Sequence, residues 1–88
     1  MKSTEARDRI VKAIVQIQKN SGRELPEEVS GRTKPIGDLE GFDSLNGLEL
    51  SVVIAAEFDI DSRENLCVSE DGRRALTVNE MVARVCGT

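Results

Sequence analysis

The residues best suited to chemistry lie together in residues 41–45, which read GFDSL. Ser44 carries a hydroxyl that can be esterified, and Asp43 stands directly before it. A short side-chain oxygen accepts a hydrogen bond from a free N–H of a helix's first turn, so either residue can cap a helix that follows. The residue that does not cap then lies at the mouth of the helix and points outward.

The composition argues against a self-contained active site around this serine. The sequence has no histidine, so a Ser–His nucleophilic site and the commonest metal ligand are both absent. A neutral serine hydroxyl is a poor nucleophile and needs a base. We therefore expect neither a catalytic site nor a metal site, and the protein is not predicted to be an enzyme.

The helix predicted over residues 46–58 carries more apolar residues than one buried face requires. At helical spacing, Leu50, Ile54 and Phe58 fall on one side. The opposite side holds Leu45, Leu48, Val52, Ala55 and Ala56. A surface helix of a small globule normally has one apolar stripe. The second stripe is therefore expected either to be buried as well or to contact a partner.

This combination resembles the acyl carrier protein family. The resemblance rests on Gly-x-Asp-Ser-Leu, followed by a helix that closes on Glu-Phe-Asp-Ile, and it covers most of the chain. It implies that Ser44, flanked by Asp43 and Leu45, is esterified with 4′-phosphopantetheine by a separate phosphopantetheinyl transferase. It also implies that the arm holds acyl groups as thioesters for acyl-transferring, acyl-activating or condensing enzymes.

The second stripe gives the expected partner surface. We call Leu45, Leu48 and Val52 the docking strip, and we expect Glu49 and Glu57 at its rim. Charge agrees with a protein partner: residues 1–43 carry eight basic and eight acidic side chains, whereas residues 44–88 carry four and eight. This acidic excess suits a basic protein partner and makes nucleic acid an unlikely one.

Three departures from the family pattern indicate a specialised carrier in fatty-acid, polyketide or lipid biosynthesis rather than the housekeeping fatty-acid carrier. Asn46 stands where an acidic residue commonly follows Ser-Leu. Ala55 and Ala56 stand where the family often carries glutamates. The stretch between Phe58 and the last helix is several residues longer than usual. These departures concern the choice of partner more than attachment at Ser44.

Two other functions remain open at this stage. One is an aminoacyl or peptidyl carrier, which has the same attachment chemistry but other cargo and partners. The other is a helical protein-interaction module that is never modified, in which Ser44 is only a cap. The acidic excess after residue 43 favours the acyl class among the carriers.

The fold expected from the pattern is all-α: one domain over residues 1–88, with three main helices in a bundle and a short helix before the last. The first helix runs from a Ser3 or Thr4 cap to about Asn20, and the last from the capping box of Thr77 and Glu80 to about Cys86. The short helix is expected over residues 63–68, and a helical turn over residues 26–29. The core set is Leu50, Ile54 and Phe58 packed against Ile10, Ile14, Ile17, Met81 and Val85.

Length and hydropathy indicate a small cytoplasmic monomer. No run approaches the roughly 18 apolar residues of a membrane span, and the N-terminus lacks a signal peptide's apolar core. Cys67 and Cys86 are too few for a disulfide framework, so we expect two reduced, partly buried thiols.

Overall fold

The computed structural model describes residues 2–23, 29–60, 65–69 and 71–86. Its helices are α1 (Ser3–Asn20), α2 (Pro35–Asp38), α3 (Ser44–Phe58) and α4 (Val78–Cys86). Helix α1 packs against both α3 and α4, and α2 contacts α3. Over the described ranges, the β pairing is confined to an isolated bridge between Val68 and Ala75. The predicted all-α class is therefore confirmed.

The core forms where α1 meets the other two main helices. Ile10 and Ile14 of α1, Leu50 of α3 and Met81 of α4 are fully buried, and Ile54 is 1% exposed. The partly buried members of the predicted core are Phe58 and Val85. Loop residues complete it, namely Leu39, Phe42, Leu66 and Leu76. The predicted core faces of the three helices are confirmed, and the loops are fastened to them by buried side chains.

The helix ends agree with the sequence patterns at α4 and disagree at α1. The Thr77 hydroxyl accepts a hydrogen bond from the Glu80 N–H at 3.1 Å, and the Glu80 carboxylate accepts one from the Thr77 N–H at 3.0 Å. This is the predicted capping box. In α1 the helix already includes Ser3, and the cap is Lys2 without a side-chain hydrogen bond. The predicted Ser3 or Thr4 cap is therefore wrong.

The short helix predicted over residues 63–68 is not formed by its described part. Residues 65–69 form a turn and a bridge rather than helix, because side chains take the N–H groups that a helix would use. The Leu66 N–H donates to the Ser51 hydroxyl and the Cys67 N–H to the Asn65 side chain. The rest of the predicted helix, residues 63–64, lies outside the described residues.

The short element before α3 is α2, four residues that the sequence analysis missed. It begins at Pro35, but Ile36 (ψ 109°) and Gly37 (φ 118°) have non-helical backbone angles, so it is a tight turn rather than a regular helix. The Asp38 carboxylate accepts a hydrogen bond from the Lys34 N–H at 2.8 Å. Of the turn predicted over residues 26–29, only the last residue is described, so that prediction lies outside the described residues. None of the described helices is long and apolar enough to cross a membrane.

Candidate functional site

Asp43, not Ser44, caps helix α3. The Asp43 carboxylate accepts a hydrogen bond from the Asn46 N–H at 3.0 Å, and the Asn46 amide oxygen accepts one from the Asp43 N–H at 3.3 Å. The pair is a capping box with an asparagine in the position usually held by Glu or Gln. Of the two caps that the sequence allowed, the structure has Asp43, and Ser44 becomes the first residue of the helix.

The hydroxyl of Ser44 therefore takes no part in capping the helix. The residue is exposed, and its side chain makes no hydrogen bond with the described part of the chain. An exposed hydroxyl at the mouth of a helix is accessible to a modifying enzyme. Because Ser44 is exposed, none of the described side chains covers it, which leaves room for a covalently attached arm.

The docking strip lies in solvent beside Ser44. Leu45 is 73% exposed, Leu48 45% and Val52 69%, so these large apolar side chains are not core residues. Contiguous exposed apolar surface on a small soluble protein commonly marks an interaction site. The structure therefore brings Ser44 and the whole docking strip onto one accessible surface.

The two glutamates expected at the rim line a groove between α1 and α3. Glu49 and Glu57 are exposed and face this groove of about 530 Å³. Arg9 and Lys12 of α1 and Val53 of α3 also line it. Glu57 is nine residues from Leu48, about 180° round the helix, so it lies far from the strip's centre, whereas Glu49 adjoins the strip.

An arginine-centred network that the sequence analysis missed supports the start of α3. Arg23 Nη1 donates to the Asn46 amide oxygen at 2.7 Å and to Gln18 Oε1 at 3.1 Å. Gln18 is fully buried, and its amide nitrogen donates to the carbonyl of Glu40 at 2.8 Å. This network ties the end of α1 to the loop before Asp43 and to the first turn of α3.

Gly41 allows the arginine to reach this position. A Cβ on Gly41 would lie 2.7 Å from Arg23 Nε, and the backbone there has a φ of +70°. Both the close approach and the left-handed backbone favour glycine. The glycine of the motif, Gly41, is therefore explained by its backbone conformation and its contact with Arg23, which the motif alone does not indicate.

Asn46 has a different role from the one inferred from sequence. It was interpreted as a surface position that had lost an acidic side chain for partner recognition. The side chain is only 8% exposed and is held by Asp43 and Arg23. The spacing of Asp43 and Asn46, three residues apart, is the signal that would have indicated a capping box.

The two thiols differ in their surroundings. Both cysteines are free, but Cys67 is fully buried whereas Cys86 is partly exposed. Burial raises the pKa of the Cys67 thiol to about 12. No group of three or more His, Cys, Asp or Glu side chains placed to hold a metal occurs among the described residues.

Comparison with family models, with curated proteins and with solved structures finds no match to this chain.

Proposed function

We propose that the protein is an acyl carrier protein whose Ser44 bears a 4′-phosphopantetheine arm. The observation that carries the proposal is that Asp43, and not Ser44, caps the start of α3. Asp43 supplies the cap, so the adjacent Ser44 hydroxyl is left exposed and without a hydrogen-bond partner among the described residues. A serine retained only for capping would instead be expected to accept a bond from the first turn.

The chain's own residues present the hydroxyl and leave the activation to an enzyme. Attachment joins the Ser44 oxygen to phosphorus, breaks the pyrophosphate bond of coenzyme A and releases the adenosine part. The proton leaves to a base of the phosphopantetheinyl transferase, consistent with a chain that has no histidine. The arm supplies a terminal thiol for thioester formation and raises the effective concentration of its cargo at each partner's active site.

The docking strip suits both a carrier and an unmodified interaction module, whereas the capping of α3 by Asp43 favours the carrier, because in the module Ser44 would be only a cap. A carrier must be recognised in turn by its transferase and by acyl-transferring, acyl-activating or condensing enzymes, and exposed apolar surface next to Ser44 suits such transient contacts. Leu45 and Val52, each at least 69% exposed, are the side chains most accessible to them.

Intact-mass measurement after incubation with coenzyme A, Mg²⁺ and a broad-specificity phosphopantetheinyl transferase tests the proposal. The wild type should gain the mass of one phosphopantetheine, and Ser44→Ala should gain none. Ser3→Ala is the matched control, because Ser3 is also an exposed first residue of a long helix. This control should be modified like the wild type.

Ser44→Ala should stay folded and lose clearly less than the roughly 1 kcal/mol of a lost cap, because Asp43 holds that position. Modification of Ser44→Ala, or failure of several transferases to modify the wild type, would reject the proposal. Loading the modified protein from acyl and from aminoacyl donors then separates an acyl carrier from an aminoacyl or peptidyl carrier.

A further inference from the structure

A side chain beyond α3 contacts the first turn of the helix that Ser44 begins. Asn65 Nδ2 donates to the Ser44 carbonyl oxygen at 3.1 Å, and Asn65 Oδ1 accepts from the Cys67 N–H at 3.0 Å. Exchanging the two amide atoms would set acceptor against acceptor and donor against donor, so both contacts fix the same orientation of the amide. One side chain therefore joins the backbone of Ser44 to residues 65–67.

Gly47 leaves the space that this contact needs. A Cβ there would lie 2.7 Å from Asn65 Oδ1 and 2.8 Å from Asn65 Nδ2, closer than real Cβ atoms approach. Gly47 is buried within α3, where glycine is a poor helix former. The glycine is thus explained by packing against Asn65 rather than by the needs of the helix.

A second hydrogen bond fastens the same segment one turn further along α3. The Ser51 hydroxyl donates to the Gly47 carbonyl at 2.7 Å and accepts from the Leu66 N–H at 2.8 Å. Ser51 is 3% exposed and Leu66 is 5% exposed, so water competes little for these bonds. Gly47 and Ser51 are four residues apart and lie on one edge of the helix. We call Asn65, Gly47 and Ser51 the α3 clamp.

We propose that Asn65 is a positioning residue for Ser44, because the α3 clamp holds the first turn of α3 and so presents the serine hydroxyl to the transferase in one orientation. This inference rests on the proposed function. At about 100° per residue, Ser51 lies about 20° to one side of Ser44 and Leu48 about 40° to the other. The clamp therefore forms one border of the site and the docking strip forms the other.

Three substitutions break the clamp in different ways. Asn65→Ala removes both hydrogen bonds of the amide. Asn65→Asp keeps an acceptor for the Cys67 N–H but loses the donor to Ser44. Gly47→Ala leaves Asn65 intact and pushes it away with a methyl group. Asn20→Ala is the matched control, because Asn20 is an exposed asparagine whose side chain bonds only Gln16 among the described residues.

The readouts are steady-state kinetics of phosphopantetheine transfer and amide hydrogen exchange. All three clamp variants should lower kcat about tenfold, as expected for a misplaced reacting group, with KM within about twofold because the docking strip is unchanged. Exchange at the Leu66 and Cys67 amides should become faster in Asn65→Ala and Gly47→Ala. Asn20→Ala should match the wild type in both readouts.

Several results would overturn the proposal. Modification of Asn65→Ala with wild-type kcat, or a change confined to KM, would show that Asn65 does not position Ser44. Unchanged exchange at both amides would show that the clamp does not hold the segment. If Asn65→Ala proves unfolded, Asn65→Asp and Gly47→Ala decide the question. If the wild type is never modified, the proposed function fails and this role fails with it, whereas a modified wild type with unaffected clamp variants rejects the positioning role alone.

Discussion

The hydrogen bond between Arg23 and Asn46 should be a measurable determinant of stability. The Arg23 Nη1 to Asn46 Oδ1 distance is 2.7 Å, short for a bond with one charged partner, and Asn46 is 8% exposed. Hydrogen bonds to charged groups contribute about 1.5–3 kcal/mol. Because Arg23 is itself only half-buried, we expect the lower part of that range.

Asn46→Ala also removes the acceptor of the Asp43 N–H, so its full cost should be about 2–3 kcal/mol, adding roughly 1 kcal/mol for capping. Arg23→Met keeps an unbranched apolar stem but loses the guanidinium. The two single variants and the double variant form a cycle in which losses unrelated to the pair cancel. The coupling free energy should be about 1–2 kcal/mol.

Urea unfolding followed by far-UV circular dichroism is the appropriate assay, because the chain has no tryptophan or tyrosine for fluorescence. The slope of the transition should stay constant, so that midpoint shifts report stability. Asn20→Ala again serves as an exposed asparagine control and should change stability by less than about 0.5 kcal/mol. A coupling free energy below about 0.3 kcal/mol would refute the view that Arg23 supports the start of α3 through Asn46.

Two further predictions concern the docking strip and the buried thiol. Leu48→Glu should raise the KM of phosphopantetheine transfer while leaving the melting curve nearly unchanged, whereas Thr4→Glu, the same charge at an exposed position of α1, should not raise KM. A core-like loss of stability in Leu48→Glu would contradict this. Native protein below pH 9 should react with a thiol reagent at Cys86 and be protected at Cys67, whose pKa is raised to about 12 by burial. Because the pKa of Cys67 is raised only in the folded state, the neutral thiol's contribution to the free energy of unfolding is fully present below pH 9 and is lost as pH rises from 9 towards 12. Equal labelling of both cysteines would contradict the burial of Cys67.

Periodicity predicted the parts of the fold that depend on repeated apolar side chains. Ile10 and Ile14, Leu50 and Ile54 recur at helical spacing, and the structure buries all four. The capping box of α4 was equally visible, since Thr77 and Glu80 stand three residues apart before an apolar run. The same count indicated a second apolar stripe that would either be buried or contact a partner, and the structure leaves its docking strip exposed.

The connections could not be predicted in this way, because single polar contacts between distant residues decide them. Residues 65–69 depart from a helix because Ser51, fourteen residues earlier in the chain than residue 65, accepts the Leu66 N–H. Asn46 is buried because Arg23 reaches it from the end of α1. A local pattern carries no information about such partners, so the residues that support the candidate site were missed, whereas Ser44 could be singled out from the motif alone.

The buried position of Asn46 also changes how much charge and apolar contact are each expected to contribute at the proposed partner surface. Three positions were interpreted as places where acidic side chains for steering a basic partner had been lost. Asn46 is the buried capping-box partner of Asp43 and Ala55 is half-buried, so only Ala56 is an exposed position of that kind. Glu57 faces the groove against α1, which leaves Glu49 beside the docking strip. Exposed single charges contribute little to binding and are screened by salt. Recognition at this surface should therefore depend mainly on apolar contact with Leu45, Leu48 and Val52, since these side chains lose water when a partner covers them.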